Sequence, residues 1–279
     1  MINFEDFSNQ YLPKINDSLI NMFTDFLEEP IFTMMDYALK TPGKRLRPLM
    51  ILAVVDGFHK EIDDQLIEIA NAIELVHTYS LVHDDLPAMD DDNVRRGQPT
   101  VHKKYTEADA VLTGDALLTN AFLLLADNNL PSEIRIELVR SLSVASGPFN
   151  MIAGQQHDVN ADSQLNDLDN LTFNYHRKTA ALFTYSAAAG AIISEQNQEV
   201  INAFNKFAVN FGIAYQIKDD ILDVDQESDQ NKITYPKLIG LDASKQKLEE
   251  YAKVSKEAIS KIENFNPEIL HDLVDSLVK

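Results

Sequence analysis

The sequence predicts an all-α chain of about ten or more helices, and three observations carry that expectation. Apolar residues recur at helical spacing almost everywhere, as at Leu66, Ile69, Ala70 and Ile73 and again at Leu248, Ala252, Ile259 and Ile262. Strand-like alternation bounded by turn residues is missing. Two aspartate pairs, Asp84-Asp85 and Asp219-Asp220, stand near the ends of periodic segments.

In chain order, the periodicity predicts helices over 3–27, 31–41, 45–58, 63–86, 106–127, 132–146, 148–161, 168–193, 197–225, 242–263 and 267–278. Asn266-Pro267 reads as an N-cap followed by proline at the first helical position, and Asp242 as another cap. No Gly/Ser-rich linker or shift in composition divides the chain, so residues 1–279 are expected to form one domain. A hydrophobic content of 45 % is ample for a large core.

The net charge of −20 argues against nucleic acid and anionic membrane as partners, since both require basic surface. Without cysteine there can be no disulfides or thiolate metal sites. The N-terminal stretch carries acids early and lacks the basic and apolar regions of a signal peptide. No apolar run is expected to reach membrane-spanning length, which makes the cytoplasm the expected location.

The chemistry concentrates between Val76 and Thr100. Five aspartates fall between Asp84 and Asp92, and Arg95 and Arg96 follow. Carboxylates this dense repel one another and are stable mainly when a cation neutralises them. A simpler copy lies at Asp219 to Asp223, where Asp219 and Asp223 share a helix face with Gln216 one turn earlier and Gly212 beyond it. Two such clusters suit a diphosphate, which carboxylates repel but which hard Mg²⁺ ions can bridge. The expectation is that the clusters face each other at the mouth of a deep cavity. A calcium-loop reading fails, because the stretch after Asp90 lacks the glycine and terminal glutamate of an EF-hand.

Asp84 and Asp90 are six residues apart, which does not close a whole number of helical turns, so the helix must bulge or end near Pro87 for both to serve one ion. His77 lies seven residues before Asp84 and therefore on its face; a lone histidine on an apolar helix is more often a satisfied core residue. The basic run Lys44-Arg45-Leu46-Arg47 reads by itself as a solvated helix start, but it stands out in so acidic a chain. Lys178-Thr179 on an apolar helix has no cheap structural explanation.

These motifs, DDLPAMD followed by RRG, a distant DDILD, and GKRLRP ahead of both, resemble the trans-isoprenyl diphosphate synthases, most closely the short-chain bacterial farnesyl type. The resemblance runs from Gly43 to the KITYP beginning at Lys232 and implies one large helical bundle around a deep central cavity. It implies head-to-tail condensation of isopentenyl diphosphate with dimethylallyl or geranyl diphosphate, with Mg²⁺ as cofactor and a homodimer as the assembly. Carried over by position, Asp84, Asp90, Asp219 and Asp223 are metal ligands, with Asp85 less clearly so. Lys44, Arg47, His77 and Arg96 hold isopentenyl diphosphate, while Arg95, Lys178 and Lys232 serve the allylic diphosphate. Thr179 and Gln216 oxygens stabilise the allylic cation, and Tyr79 and Ser80, the fifth and fourth residues before Asp84, set chain length.

The sequence departs from the family in two places. The stretch Gly154 to Asp158 only partly matches the family's GGQxLD and reads mainly as helix packing. The loop after Asp223 is shorter than usual and lacks a glycine-lysine, which leaves a weakly active or non-catalytic subunit as one alternative and a geranylgeranyl diphosphate synthase as another. A terpene cyclase shares the aspartate-rich all-α design but does not explain Lys44, Arg47 and Arg96.

Overall fold

The computed structural model describes residues 3–159, 167–224 and 233–279. The chain packs as two compact units. One comprises residues 8–52 and 62–139, and the other residues 1–7, 53–61 and 140–279. Among the described residues the fold is helical apart from one short hairpin, as the periodicity predicts.

The first unit is built on α4 (Asp64–Asp84), 21 residues long and the carrier of the first aspartate pair. Asp63 caps it by accepting from the Leu66 N–H at 2.8 Å. Ile67, Ala70, Ile73 and Val76 bury its inner face. It packs along α6 (Glu107–Ala126), which also meets α2 (Pro30–Leu39). Gly114 of α6 makes that approach possible, because a Cβ there would stand 2.0 Å from His83 Nε2.

One expectation fails on α6. By length and composition it could cross a membrane, with a mean hydropathy of 1.4 over its most apolar window. One third of that window, 33 %, is buried inside the protein. Ala110, Thr113, Leu117, Ala121 and Leu125 enter the core, while Val111, Leu112 and Leu123 stay exposed.

The second unit centres on α11 (Gln198–Leu222), capped by Asn197 and packed between α10 (Ala181–Ile193) and α13 (Leu241–Ile259). Phe183, Phe204, Phe207 and Phe211 form its aromatic core. α9 (Leu168–Tyr175) and α12 (Tyr235–Ile239) pack against α11, and α8 (Met151–Val159) packs against α9 and the His176–Ala180 turn.

Several boundaries differ from the periodic reading. The first predicted helix stops at Asn21, and a 3₁₀ turn follows at Thr24–Phe26. The segment predicted as 168–193 is broken by a π-helical turn at His176–Ala180. Short α12 and α5 (Val101–Lys104) fall below the length that periodicity detects. Asp242 lies in the first turn of α13, where Gly240 rather than Asp242 is the cap. The last helix also starts one residue later than expected: it runs Glu268–Val278 with Pro267 in the cap position, and Asn266, one residue further out, accepts from the Glu268 N–H at 3.1 Å.

Candidate active site

In the first unit, α4 ends at Asp84, three residues before Pro87. The chain then folds back through tight turns. The Met89 and Asp91 amides both donate to Leu86 O, and Asp91 takes a left-handed φ of 51°. The Asp90 N–H donates to Asp84 O at 2.9 Å, so these turns return Asp90 to the helix end that a continuous helix would have carried it away from. Asp84 is half-buried and Asp90 exposed.

Asp85 behaves differently. It is 3 % exposed and accepts from Arg95 Nε at 2.5 Å. Burial raises its carboxyl above the usual range, against the lowering effect of Arg95. Arg95 also reaches Asp92 at 3.2 Å. Arg95 and Arg96 belong to the hairpin that pairs β1 (Val94–Arg95) with β2 (Gln98–Pro99). Arg96 and Gly97, at φ 50° and 80°, are its two left-handed turn residues.

That turn delivers Arg96 to the GKRLR segment. Its Nη1 donates to Pro42 O at 2.8 Å and lies where a Cβ on residue 43 would come within 2.6 Å, so Gly43 makes room for it. Within the segment the three cations divide. Arg45 is buried and bonds to Glu74 Oε1 at 2.7 Å, Leu39 O at 2.7 Å and Asn16 Oδ1 at 3.1 Å. Lys44 is exposed and Arg47 half-buried. His77 sits in the combined field of Arg47, Arg96, Arg45 and Arg95; burial first, then these cations, hold its pKa well below the ordinary imidazole value, so it is neutral at pH 7. Arg95 and Arg96 line a small cleft with Arg45, Thr41 and Thr78, and the charge of Arg47 adds to theirs at His77.

Tyr79 is 6 % exposed, and burial, then Asp84, push its pKa up to about 12. Its ring meets His83 edge-on at 5.7 Å, and His83 Nε2 bonds to Val111 O of α6 at 3.0 Å. Ser80, half-buried, donates to His77 O at 2.9 Å.

In the second unit, the π-helical turn carries Lys178 and Thr179. A π turn widens the helix and re-aims its side chains, and such turns are frequent at functional sites. Gly212 of α11 accommodates it, since a Cβ there would stand 2.5 Å from Ala180. Thr179 Oγ1 donates to Gln216 Oε1 at 2.8 Å. One turn on, Asp219 is half-buried and Asp223 exposed, and the Asp223 N–H donates to Asp219 O at 3.0 Å.

The sequence reading missed Asp158. It accepts a charge-assisted bond from Lys178 Nζ and a second from Asn174 Nδ2 at 2.6 Å. Gly154 behaves as the expected packing residue, because a Cβ on it would lie 2.7 Å from the Lys178 backbone. The available signal was the aspartate closing the GQQHD motif. Lys232 lies outside the described residues.

Among the described residues, no three carboxylate or imidazole groups converge as a ready-made metal cage. Paired hard oxygen donors at a helix end nevertheless fit Mg²⁺, which takes one or two carboxylates and completes its shell with water and substrate phosphate.

Helical units that end in paired aspartates, with clustered arginines beside one pair and a lysine-threonine turn beside the other, define an all-α prenyltransferase. The chain belongs to the polyprenyl synthetase family, whose model matches residues 28–266. It is 38 % identical to the farnesyl diphosphate synthase of Bacillus subtilis over 94 % of this chain and 93 % of that protein. It is 39 % identical to the chloroplastic geranylgeranyl pyrophosphate synthase of Catharanthus roseus over 85 % of this chain and 70 % of that one. The crystal structure of an FPP/GFPP synthase from Zymomonas mobilis superposes with a TM-score of 0.86 at 33 % identity, covering 98 % and 99 % of the two chains. The family catalyses head-to-tail prenyl condensation and uses a divalent metal.

Proposed function

We propose that this chain is a Mg²⁺-dependent farnesyl diphosphate synthase, adding isopentenyl diphosphate to dimethylallyl and then geranyl diphosphate. The observation that carries the reading is the return of Asp90 to Asp84 in a unit that also gathers Arg47, His77, Arg95 and Arg96. A carboxylate pair for a hard cation and a cationic cluster for phosphate are what a diphosphate-handling site requires.

Asp84 and Asp90, and separately Asp219 and Asp223, are the proposed Mg²⁺ ligands. Bound there, the metal supplies charge that neutralises the diphosphate leaving group. Arg95, ordered by Asp85, and Lys178, ordered by Asp158, add fixed positive charge at the allylic diphosphate, with Lys232 as a further contact. Thr179 and Gln216, bonded to each other, offer oxygen lone pairs that stabilise the allylic cation. Lys44, Arg47, Arg96 and neutral His77 hold isopentenyl diphosphate, His77 through a ring N–H. Tyr79, with Ser80 beside it, forms the floor that stops growth at fifteen carbons.

The proposal treats residues 1–279 as one synthase domain, in keeping with a family match that spans both units. It takes the assembly to be a homodimer, supported by the apolar outer face of α6 at Val111, Leu112 and Leu123. It places the enzyme in the cytoplasm, where its charged substrates are dissolved. The Catharanthus relative favours a second reading, a geranylgeranyl diphosphate synthase.

One assay tests these readings. Purified protein is incubated with Mg²⁺, isopentenyl diphosphate and dimethylallyl or geranyl diphosphate, and products are resolved by chain length. Fifteen-carbon product that disappears with chelator supports the proposal. A twenty-carbon main product selects the second reading, and no product at any metal concentration overturns both.

A further inference from the structure

Both aspartate pairs hold one carboxylate out and one in, and the inner member of the second pair is the more committed. Asp220 is 3 % exposed. Its Oδ2 accepts from the Tyr175 hydroxyl at 2.5 Å and from the Tyr235 N–H at 3.1 Å. The two tyrosine rings stack at 5.7 Å, and the Tyr235 hydroxyl is bonded to Thr172 Oγ1 at 2.5 Å. A buried carboxylate that accepts a phenol and a backbone amide is fixed in orientation, and charge-assisted bonds of this kind are about twice as strong as neutral ones. Tyr175 is the residue immediately before the π turn that carries Lys178 and Thr179.

We propose that Asp220 is a positioning residue and not a metal ligand: through Tyr175 it sets the height of the His176–Ala180 turn, and so where Lys178 and Thr179 meet the allylic diphosphate. The inference rests on the proposed roles of Asp219, Lys178 and Thr179. It assigns the two neighbouring aspartates opposite duties, one toward metal and one toward protein.

The test uses Asp219→Asn, Asp220→Asn, Tyr175→Phe and the Tyr175→Phe/Asp220→Asn double variant. Each is melted after chelator treatment, melted again with Mg²⁺ and inorganic diphosphate, and then assayed. In metal-free protein, Asp220→Asn and Tyr175→Phe should each lower the melting midpoint. Mg²⁺ with diphosphate should raise the midpoint of Asp220→Asn and Tyr175→Phe as it does the parent's, and should raise that of Asp219→Asn by less, since the Asp84 and Asp90 site remains.

In the assay, Tyr175→Phe should raise KM for geranyl diphosphate about threefold or more, as expected for loss of one hydrogen bond, while KM for isopentenyl diphosphate stays put. The double variant should be no worse than the poorer single, because both remove the same contact. The proposal is overturned if Asp220→Asn keeps its metal-free midpoint but shows a smaller Mg²⁺-dependent rise than the parent, since Asp220 would then be a ligand. It is also overturned if Tyr175→Phe lowers the midpoint with both KM values unchanged, since the contact would then only hold the fold. Should Asp219→Asn keep its full Mg²⁺-dependent rise, the metal reading of Asp219 falls, and the metal-free melts with the KM split still decide for or against Asp220.

Discussion

Arg45→Met tests whether the three cations of the GKRLR segment are divided as the structure divides them. The Arg45 and Glu74 side chains are each 3 % exposed and lie 2.7 Å apart. Methionine keeps most of the aliphatic stem but leaves the Glu74 carboxylate buried with no counter-charge. It also removes the donors to Leu39 O, Thr41 O and Asn16. Removing one partner of a buried ion pair costs about 3–5 kcal/mol. At about 2–4 °C per kcal/mol for a chain of this class, the melting midpoint should fall by roughly 6–20 °C. Replacing both partners, as Arg45→Met with Glu74→Met, removes the stranded charge and should recover most of that loss. The assay is calorimetry of the single and double variants, followed by kinetics well below either midpoint. There, KM for isopentenyl diphosphate should match the parent in Arg45→Met and rise in Lys44→Ala, whose exposed side chain costs little stability. A single variant that melts within about 2 °C of the parent, or a double variant no better than the single, would refute the assignment of Arg45 to the core.

Three further outcomes follow from the proposed site. Arg96→Ala should raise KM for isopentenyl diphosphate more than for geranyl diphosphate, and steady-state kinetics showing equal effects would reject the division of substrates. Tyr79→Ala should shift products toward twenty carbons or longer with turnover retained; chromatography showing a clean stop at fifteen would remove Tyr79 as the floor. The depressed pKa of His77 makes the unfolded state the better proton binder below about pH 6.5, so stability should fall as pH drops from 7.5 toward 5.5. His77→Asn should flatten that fall, and melts with the same slope for both proteins would contradict the shift.

The helices were legible because buried faces repeat at a period that no loop shares, as along α13 at Leu248, Ala252, Ser255 and Ile259. The end of α4 was legible too, since Asp84 and Asp90 can approach only if the helix stops, and it stops three residues before Pro87. What stayed hidden depends on tertiary neighbours. Nothing in the run Lys44-Arg45-Leu46-Arg47 says that the middle cation faces Glu74, twenty-nine residues on. Asp219 and Asp220 are the same residue type in sequence, and the bonds that Asp220 accepts from Tyr175 and Tyr235 are visible only in the fold. The π turn at His176–Ala180 has no compositional signature, and its close approach to Gly212 joins residues more than thirty apart in sequence. Asp158 was undervalued because its partner, Lys178, is twenty residues away.

Gly114 has a consequence for how such an enzyme can diverge. The space it leaves is filled by His83, which braces the Tyr79 ring, and the same helix presents Val111, Leu112 and Leu123 on its other side. A methyl group at position 114 displaces the His83 ring or pushes α6 away from α4, and either movement takes the support from Tyr79. On the proposed roles, the chain-length floor at Tyr79 and the homodimer face are thereby tied to one helix. If those roles hold, a lineage that reworks the outer face of α6 for a new partner must keep the helix where His83 still meets Tyr79, or accept a new product along with it.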